Sequence, residues 1–408
     1  AGLKKRNFHT PEVTIDEIIK LDEVRRKTQT DSDAVLSELN IISKSIGELL
    51  KAGKKEEAET AKSKTSNLKI KSKELGEKLS RSEEYLKQAL YNIPNIPHES
   101  VPTGNLSEDN EIIFEQGTLP VLPENALPHW DLIEKYDIID FELGNKITGA
   151  GFPVYKGKGA KLQRALVSFF LNEGEKAGYN EIQPPVLINQ ASGYGTGQLP
   201  DKEGQMYATV EDQLYLIPTA EVPITNLYRN VILKPEDLPI RNIGYTLCFR
   251  REAGSWGSHV RGLNRLHQFD KVEIVQITKP EESYKTLDAM CDYVKEILTK
   301  LELPFRMLKL CGGDLGFTSA MTYDMEVYSA AQKKWLEVSS ISNFLTYQAN
   351  RLRLRYKDEN GKNQLLHTLN GSALALPRIV AAILENNQGP EGIRIPRALI
   401  PYTGFEKI

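Results

Sequence analysis

The chain has 408 residues, 40% of them hydrophobic and 26% charged, which is typical of a globular protein with a sizeable core. A formal net charge of −3 argues against a uniformly basic nucleic-acid-binding protein, so any surface for a polyanion must be local. The cysteines are too few and too scattered for a disulfide framework or a CxxC metal site, and we expect reduced thiols at Cys248, Cys291 and Cys311.

Residues 21–90 carry the spacing of two helices that pack against each other. Apolar and small polar residues recur at steps of three and four in both halves of this region, as in the seam of a coiled coil. We expect the first seam to contain Leu21, Val24, Thr28, Asp31, Val35, Leu39, Ile42, Ile46 and Leu49. We expect the second seam to contain Ala61, Thr65, Leu68, Ser72, Leu75, Leu79, Ser82, Leu86 and Ala89.

The stretch at residues 51–60 separates the two seams. It contains Gly53 and lacks an apolar stripe, which predicts the tip of an antiparallel hairpin between two helices of roughly 30 residues each. Two helices alone leave no room for a globular core, so we expect this hairpin to project into solvent as an arm.

The predicted arm is locally basic. Between Lys20 and Leu90 there are 16 lysines and arginines against 13 aspartates and glutamates. Several of the lysines fall in one short stretch: Lys62, Lys64, Lys69, Lys71 and Lys73. Such a helix face is either simply solvated or a surface that contacts phosphates, and the composition of the arm leaves both interpretations open.

A proline-rich segment at residues 92–104 ends the arm, because its prolines are incompatible with continued helix. It predicts a boundary between an N-terminal domain of residues 1–98 and a second domain of residues 99–408. Beyond it, short β-rich runs such as QLYLIP and MEVYSA alternate with helical stretches, which favours an α+β fold with an antiparallel sheet. Helices are predicted at residues 159–177, 281–301 and 372–386.

The second domain shows no familiar nucleotide-binding motif of the P-loop or Rossmann type. Neither GxxxxGK[ST] nor a strand-associated GxGxxG is present in its sequence. Any nucleotide must therefore be bound by a different arrangement of residues.

The run FRREAGSWGSHVRGLNRLHQFDKVE, at residues 249–273, combines a glycine-rich loop with a high density of positive charge. Its arginines repel one another unless a polyanion neutralises them, which indicates a phosphate-bearing ligand. The glycines would allow the loop to cover that ligand closely. Phe269 and Glu273 share a face of the predicted returning strand, where an aromatic ring can stack on a base. The loop positions concerned are Arg250, Arg251, Arg261, Arg265, Gly254, Gly257 and Gly262.

This loop resembles the second signature motif of class II aminoacyl-tRNA synthetases, in the form found in seryl-tRNA synthetases. Other segments resemble further parts of that family in the same order: KAGYNEIQPPVLI (176–188, motif 1), LIPTAEVPI (216–224, the Thr-x-Glu serine motif), LEVSSISNFLTYQANRLRLRY (336–356, the metal- and ATP-binding strand) and HTLNGSALALPRIVAAILENNQ (367–388, motif 3). With the arm included, the resemblance covers nearly the whole chain and is closest to the bacterial form. It implies a helical arm followed by a class II catalytic domain, with motif 2 at about residues 246–275.

The resemblance implies a serine–tRNA ligase that works in two steps. Serine and ATP would give seryl-adenylate and pyrophosphate, and the seryl group would then pass to the 3′ terminal ribose of tRNA(Ser), with tRNA(Sec) as a second candidate. Because the carboxylate of serine is already ionised at neutral pH, activation requires alignment and neutralisation of phosphate charge more than a strong base.

The same resemblance assigns roles to individual residues. Arg250 would bridge the serine carboxylate and the α-phosphate, while Phe269 and Arg378 would contact opposite faces of the adenine. Arg250 and Arg378 are the implied catalytic residues. The other implied ATP-binding residues are Arg251, Glu252, Arg265, Glu337, Val338, Ser339 and Ser340. The implied serine-binding residues are Thr219, Ala220, Glu221, Glu273, Asn370 and Ser372.

The resemblance also implies a cofactor and partners. Glu337 and Ser340 would hold Mg²⁺ against the ATP phosphates, since a hard cation prefers oxygen ligands, and no zinc is expected. The arm would bind tRNA(Ser), and motif 1, through Pro185, would form a homodimer. Because no run approaches the ~18 apolar residues of a membrane span, we expect a cytoplasmic protein without membrane association. The first residue is Ala rather than Met, so we expect a trimmed N-terminus.

The chain departs from the family pattern at a few positions. Motif 3 has Ala373 where a glycine is usual, and Pro377 precedes the arginine where a glycine is common. The loop tip SWGSH, at residues 255–259, lacks a charged pair that many relatives carry. None of these changes removes an implied ligand.

Two alternative functions fit parts of the pattern. One is a synthetase-like ligase that activates an amino acid for a carrier protein, but such relatives lack the long arm and use zinc bound by cysteine and histidine. The other is an inactive paralogue that only binds RNA, against which the presence of Arg250, Glu337 and Arg378 argues.

Overall fold

The computed structural model describes residues 2–252 and 261–408, which divide into two compact units. One unit is Phe8–Pro94, and the other joins the segment up to Asn7 with Asn95–Ile408. The helices are α1 (Gly2–Lys5), α2 (Pro11–Lys51), α3 (Lys55–Leu90), α4 (His129–Lys135), α5 (Phe141–Ile147), α6 (Gly157–Lys176), α7 (Gln190–Thr196), α8 (Glu221–Asn226), α9 (Ser283–Lys300), α10 (Thr346–Leu352), α11 (Leu376–Asn386) and α12 (Ile400–Thr403). Within the described ranges, no helix is both long enough and apolar enough to cross a bilayer.

The strands follow the same chain order, and most of the long ones lie in the second half of the chain. They are β1 (Glu111–Gln116), β2 (Ile139–Asp140), β3 (Val154–Tyr155), β4 (Asn180–Glu181), β5 (Leu187–Ile188), β6 (Tyr215–Leu216), β7 (Ile232–Leu233), β8 (Ile240–Phe249), β9 (Gln268–Thr278), β10 (Phe305–Lys309), β11 (Met321–Ser329), β12 (Lys334–Leu345), β13 (Arg355–Lys357), β14 (Asn363–Leu365), β15 (His367–Ala375), β16 (Gln388–Gly389) and β17 (Gly392–Ile393).

The smaller unit is a pair of long helices, α2 and α3, joined by residues 52–54. Pro11 lies in the first turn of α2, where its missing N–H removes no intrahelical bond. Gly53 adopts a φ of 74° at the tip, a conformation that glycine reaches without strain. Both helices are longer than predicted, because α2 extends back to Pro11 and residues 55–60 belong to α3 rather than to the turn.

The seam between these helices confirms the predicted pattern in α3 and corrects it in α2. Every expected seam position of α3, from Ala61 to Ala89, is buried or half-buried. In α2, Val24 and Asp31 are exposed, and the neighbouring Arg25 and Ser32 take their places. With this change the seam of α2 follows steps of four and three without interruption, as the 3.5-residue repeat of a coiled coil requires.

The clustered lysines of α3 are exposed on the arm. Lys62 pairs with Glu59 on the same helix at 2.5 Å, and Lys64 pairs with Glu38 of α2 at 2.7 Å. The remaining lysines of the cluster are also exposed: Lys69, Lys71 and Lys73. This stretch of α3 therefore presents positive charge to solvent on both sides of the seam.

The larger unit is built around an eight-stranded sheet with the order β1-β10-β11-β12-β15-β9-β8-β4. Neighbouring strands are antiparallel except for β4 and β8 at one edge, which are parallel. Together with the two-helix unit, this confirms the expected α+β class, an N-terminal helical hairpin with an antiparallel sheet flanked by helices.

Helices α6, α9 and α11 pack against this sheet and form its main core. Along α6, Leu162, Leu166, Phe169 and Phe170 are buried at the three-and-four spacing of an amphipathic helix. They pack in one cluster with the core-facing residues of the central strands, such as Ile274 of β9. Alternate residues of those strands therefore point away from this core.

Two of the three helices predicted in this unit, at residues 159–177 and 281–301, are found as α6 and α9 with ends within two residues. The third begins at Leu376 rather than at residue 372, because residues up to Ala375 belong to β15. This strand is buried almost throughout, so its sequence lacks the alternation that distinguishes a strand from a helix. Pro377, in the first turn of α11, marks the actual helix start.

Candidate active site

Strand β9 presents an aromatic ring and two charged groups on one face. Phe269, Lys271 and Glu273 alternate with the core residues Val272 and Ile274. Lys271 and Glu273 are buried, whereas Phe269 is half-buried. The face therefore passes from an aromatic surface to a pair of buried charges along a single strand.

Arg250 directly follows β8 and lies beside Phe269. Its backbone N–H donates a hydrogen bond to the carbonyl oxygen of His267 at 2.9 Å. The guanidinium carbon lies 5.3 Å from the centroid of the Phe269 ring, a cation–π contact. The N–H of Arg251 donates to the carbonyl oxygen of Gln205 at 2.8 Å, so the backbone is fixed on both sides of the Arg250 side chain.

An ion pair joins the two ends of the arginine-rich loop. Nη1 of Arg265 lies 2.7 Å from Oε2 of Glu252, and Glu252 has a φ of 49°, which is uncommon for a residue other than glycine. Residues 253–260, which include Gly254, Gly257 and the SWGSH tip, lie outside the described residues.

The exit of the loop packs against helix α4. Gly262 has a φ of 66°, and a Cβ added there would lie 2.3 Å from Nε2 of His129. The guanidinium carbon of Arg261 lies 5.0 Å from the ring of Trp130. Arg261 is therefore engaged with α4, unlike Arg250, which faces β9.

Arg378, in the first turn of α11, connects three of the predicted segments. Its Nε donates to the carbonyl oxygen of Asn264 at 3.1 Å, and its Nη1 donates to the carbonyl oxygen of Glu337 at 2.7 Å. Motif 3, the loop exit and β12 therefore meet at this side chain. Pro377 beside it fits the first helical turn, and Ala373 is fully buried within β15.

Glu337 and Ser340 share a face of β12 because the strand contains a bulge. In a regular strand, residues three positions apart point to opposite faces. Here Glu337 pairs with Glu326 of β11 and Ser340 pairs with Asp324, so one extra residue is accommodated between the two pairs. The bulge thereby brings four oxygen-bearing side chains to one surface.

These four side chains help to line a cavity of about 390 Å³. Oδ1 of Asp324 is buried there without a hydrogen-bond partner among the described residues. Burial, and then the nearby Glu337 carboxylate, raise the pKa of Asp324 well above its usual value. A buried carboxylate oxygen of this kind, next to Glu337 and Ser340, fits a hard divalent cation. In residues 2–252 and 261–408, no group of three or more His, Cys, Asp or Glu side chains is arranged to hold a metal ion.

The other two residues of β12 that were predicted to bind ATP are engaged inside the protein. Val338 packs in the main core. The hydroxyl of Ser339 donates to the carbonyl oxygen of Ser372 at 2.5 Å, which ties β12 to motif 3. Their side chains therefore support the site rather than line it.

The Thr-x-Glu segment lies at the start of α8. Ala220 is fully buried in the core, whereas Thr219 and Glu221 reach polar groups. Oε1 of Glu221 accepts a hydrogen bond from Nε2 of Gln348 at 2.6 Å. Burial raises the pKa of Glu221 to about 7, with the Glu273 carboxylate adding to the shift and the Gln348 hydrogen bond opposing it.

Lys271 connects Thr219 to Glu273. Its Nζ lies 2.9 Å from Oγ1 of Thr219 and 2.8 Å from Oε2 of Glu273. Ser372 lies opposite Glu273 in the ladder between β15 and β9, and its hydroxyl donates to the same carboxylate oxygen at 3.3 Å. Asn370, two residues earlier on β15, shares that face. The result is a buried cluster of charged and hydroxyl groups.

Sequence reasoning did not identify Lys271, Gln348 or His129 as parts of this region. Lys271 could have been found from alternation, because it lies between Phe269 and Glu273 on their face of β9. Gln348 and His129 gave no such signal, since they approach the site from α10 and α4, far away in sequence.

Two family models match the chain. Residues 206–387 match the tRNA synthetase class II core domain (G, H, P, S and T), and residues 1–97 match the seryl-tRNA synthetase N-terminal domain. The chain is similar to the serine–tRNA ligase of Salinibacter ruber, with 50% identity over 409 residues that cover 100% of this chain and 95% of the relative. It is also 48% identical to the serine–tRNA ligase of Akkermansia muciniphila, over 97% of this chain and 92% of the relative.

Solved structures show the same likeness. The seryl-tRNA synthetase of Pyrococcus horikoshii, complexed with ATP, superposes with a TM-score of 0.90 at 33% identity, covering 100% of this chain and 96% of that one. The cytoplasmic serine–tRNA ligase of Naegleria fowleri, in complex with AMP, superposes with a TM-score of 0.84 at 28% identity, covering 100% and 93%. The likeness therefore extends over the whole of this chain and more than nine-tenths of each solved chain.

Proposed function

The chain belongs to the class II seryl-tRNA synthetases, and from this membership we propose how its residues carry out the reaction. It is a serine–tRNA ligase, which activates L-serine with ATP and then joins serine to the 3′ end of tRNA(Ser).

Activation rests on the alignment of two charged reactants. A carboxylate oxygen of serine attacks the α-phosphorus of ATP, the bond from that phosphorus to the bridging oxygen breaks, and pyrophosphate leaves. Arg250 would contact both the carboxylate and the α-phosphate, because its guanidinium already lies beside Phe269, on which the adenine would stack. Arg378 would cover the other side of the adenine and reach the γ-phosphate. No general base is required, since the nucleophile is ionised before it binds.

The ion pair at the mouth of the loop would complete the ATP site. Glu252 would form a hydrogen bond near the adenine, while Arg265 and Arg251 would face the phosphates. The 2.7 Å contact between Arg265 and Glu252 supports this arrangement, because it brings both side chains to the entrance of the same surface. The backbone of Val338 and Ser339 would complete the wall on the β12 side.

Serine would bind in the buried pocket at the far end of the β9 face. Its ammonium group and hydroxyl group would be received by Thr219, Glu221, Glu273, Asn370 and Ser372, with Ala220 forming the floor. Alanine would bind weakly because it lacks the hydroxyl group of serine. The buried carboxylate and hydroxyl groups of the pocket would then have no hydrogen-bond partner in the ligand. Threonine would be rejected sterically, by its additional methyl group.

Mg²⁺ would be held by Glu337 and Ser340 together with the ATP phosphates. The bulge in β12 supports this assignment, because it turns both side chains to the cavity where Oδ1 of Asp324 has no partner among the described residues. The cation would supply positive charge to the phosphates. The bulge in β12 orients the side chains of Glu337 and Ser340 for this purpose.

We propose that tRNA(Ser) binds along the arm, where the exposed lysines of α3 would contact its phosphates.

We also propose a homodimer formed through motif 1, where Pro185 and Leu187 are exposed. The cytoplasm is the proposed location, because that is where aminoacylated tRNA is used.

The observation that carries the proposal is that Phe269 and Glu273 lie four residues apart on one face of β9. Arg250 contacts the ring of Phe269, and Lys271 contacts the carboxylate of Glu273. The test is serine-dependent exchange of pyrophosphate with ATP, followed by charging of tRNA(Ser). An inactive paralogue would show neither reaction, and a ligase for a carrier protein would show exchange without charging of tRNA.

A further inference from the structure

Lys271 is a buried lysine in the middle of the proposed serine pocket. Its side chain is 7% exposed, and its ammonium group contacts both Thr219 and Glu273 within hydrogen-bond distance. Lysine is seldom buried so deeply unless its charge is paired, because removing an ammonium group from water costs several kcal/mol. A long hydrophobic residue could fill the same space without this cost, so the charge itself requires an explanation.

When Glu221 and Glu273 are both ionised, the charges of these buried groups do not cancel without a ligand. Glu221 and Glu273 are both buried, and Lys271 is the cation that contacts one of them directly. The neutral groups beside these side chains come from the segment before α8, from α10 and from β15, namely Thr219, Gln348, Asn370 and Ser372. With Glu273 paired to Lys271, Glu221 has the neutral amides of Gln348 and Asn370 beside it. One negative charge in the pocket is therefore not compensated, and a cationic group of the ligand can compensate it.

We propose that Lys271 is a positioning residue that determines which end of the amino acid each carboxylate receives. By pairing with Glu273, it reserves that carboxylate for a neutral hydrogen-bonding side chain, and it leaves Glu221 for the α-ammonium group. The inference rests on the proposed function, since it takes serine as the ligand of this pocket. It adds a source of side-chain selectivity that is electrostatic rather than steric.

Lys271 should also determine how the pocket receives a close analogue of serine. In 2,3-diaminopropionate, an amine replaces the hydroxyl of serine with almost no change of size, so space alone cannot distinguish the two. When that amine is protonated, Lys271 would repel it from Glu273. Without the lysine charge, Glu273 would attract it instead. Removal of one charge should therefore weaken serine binding and favour the analogue at the same time.

The experiment compares the full chain with Lys271→Gln, Lys271→Arg and Lys234→Gln in pyrophosphate exchange, with serine and with 2,3-diaminopropionate. Glutamine can still form hydrogen bonds with Thr219 and Glu273, so it removes mainly the charge, and Lys234 is an exposed control. Lys271→Gln should raise the KM for serine about tenfold while kcat and the KM for ATP change less than about threefold. The ratio of kcat/KM for the analogue to that for serine should rise about tenfold or more, and Lys271→Arg should retain most of the discrimination.

Several results would overturn the proposal. A folded Lys271→Gln variant whose serine KM and analogue ratio stay within twofold of the unmodified chain would show that the charge has no such role. If that variant fails to fold, the unmodified chain still decides the matter, because equal use of serine and the analogue contradicts the proposed repulsion. Absence of serine-dependent exchange in the unmodified chain would instead overturn the proposed function itself, so the two failures are distinguishable.

Discussion

Nδ1 of His129 lies 2.7 Å from Oε1 of Glu385, and both side chains are completely buried. Nε2 of the same ring accepts a hydrogen bond from the backbone N–H of Leu263 at 2.8 Å, so the ring proton is on Nδ1 and is donated to Glu385. Burial alone would raise the pKa of Glu385, but hydrogen bonds from His129 and Ser329 outweigh it and keep that pKa below its usual value. The pair therefore links the exit of the arginine-rich loop to the helix of motif 3.

We expect Glu385→Gln to impair the use of ATP more than the use of serine. The next residue after Leu263 is Asn264, whose carbonyl oxygen accepts a hydrogen bond from Arg378, so a loosened His129 would shift the groups proposed to contact ATP. The KM for ATP in pyrophosphate exchange should rise about tenfold, while the KM for serine stays within about twofold. Equal changes in both KM values would contradict the idea that Glu385 acts mainly on the groups proposed to contact ATP. Glu359→Gln, on an exposed turn, is the control.

Replacement of Arg250 should separate activation from tRNA binding. Arg250→Ala removes the proposed contact with the carboxylate and the α-phosphate, and we expect the rate of adenylate formation to fall by a factor of about 10³ or more. Affinity for tRNA(Ser), measured by filter binding, should change less than threefold. Arg261→Ala is the matched control, because that arginine contacts Trp130 and not Phe269. Similar losses in the two variants would argue against a special role for Arg250.

The activity should depend on pH through Glu221. Burial raises the pKa of this carboxyl to about 7, so a large fraction of the free protein carries a protonated Glu221 below neutral pH. An ammonium group binds the ionised form, so kcat/KM for serine should rise with pH up to about 7 and then level off. Glu221→Gln should lower kcat/KM and abolish this rise. A rise of the same size in Glu221→Gln would assign the titration to another group.

The requirement for Mg²⁺ should depend on Glu337. Glu337→Gln weakens a proposed oxygen ligand without changing its size, so the Mg²⁺ concentration that gives half-maximal exchange should increase about tenfold. High Mg²⁺ should restore most of the activity, which separates a ligand defect from misfolding. Failure of added Mg²⁺ to restore exchange in a folded variant would contradict the assignment.

Charge reversal on the arm distinguishes a phosphate-binding surface from a merely solvated one. The triple variant with Lys69, Lys71 and Lys73 changed to Glu should raise the KM for tRNA(Ser) about tenfold or more at moderate salt, and pyrophosphate exchange should be unaffected. The control reverses three exposed lysines outside the arm, Lys234, Lys357 and Lys362, which gives the same change of net charge. Equal effects of the two variants would indicate a general charge effect.

The architecture of the arm could be predicted because a coiled coil follows a short repeat along the sequence. The prediction was wrong at the ends of both helices and at two seam positions, where Arg25 and Ser32 take the places of Val24 and Asp31. The repeat decides which position faces the partner helix, and the long aliphatic part of arginine can pack there while its charge stays in solvent.

The candidate site could be predicted as a set of residues, and its spatial arrangement could not. Nothing in the sequence of β12 indicates that a bulge turns Glu337 and Ser340 to the same face, because bulges depend on the pairing of two strands. Gln348 hydrogen-bonds Glu221 from a helix more than a hundred residues away in sequence, which no local pattern can reveal. Contacts of this kind depend on the order of strands in the sheet.

The alternation along β9 also sets a length. Four residue steps separate Phe269 from Glu273, or roughly 13 Å at about 3.3 Å per residue, so in the proposed site this strand would set the distance between the stacked adenine and the side chain of serine. An insertion or deletion of one residue between them would turn either Phe269 or Glu273 to the opposite face of the sheet, toward the core. A related protein could acquire a different amino acid by exchanging side chains along this strand, but not by lengthening or shortening it.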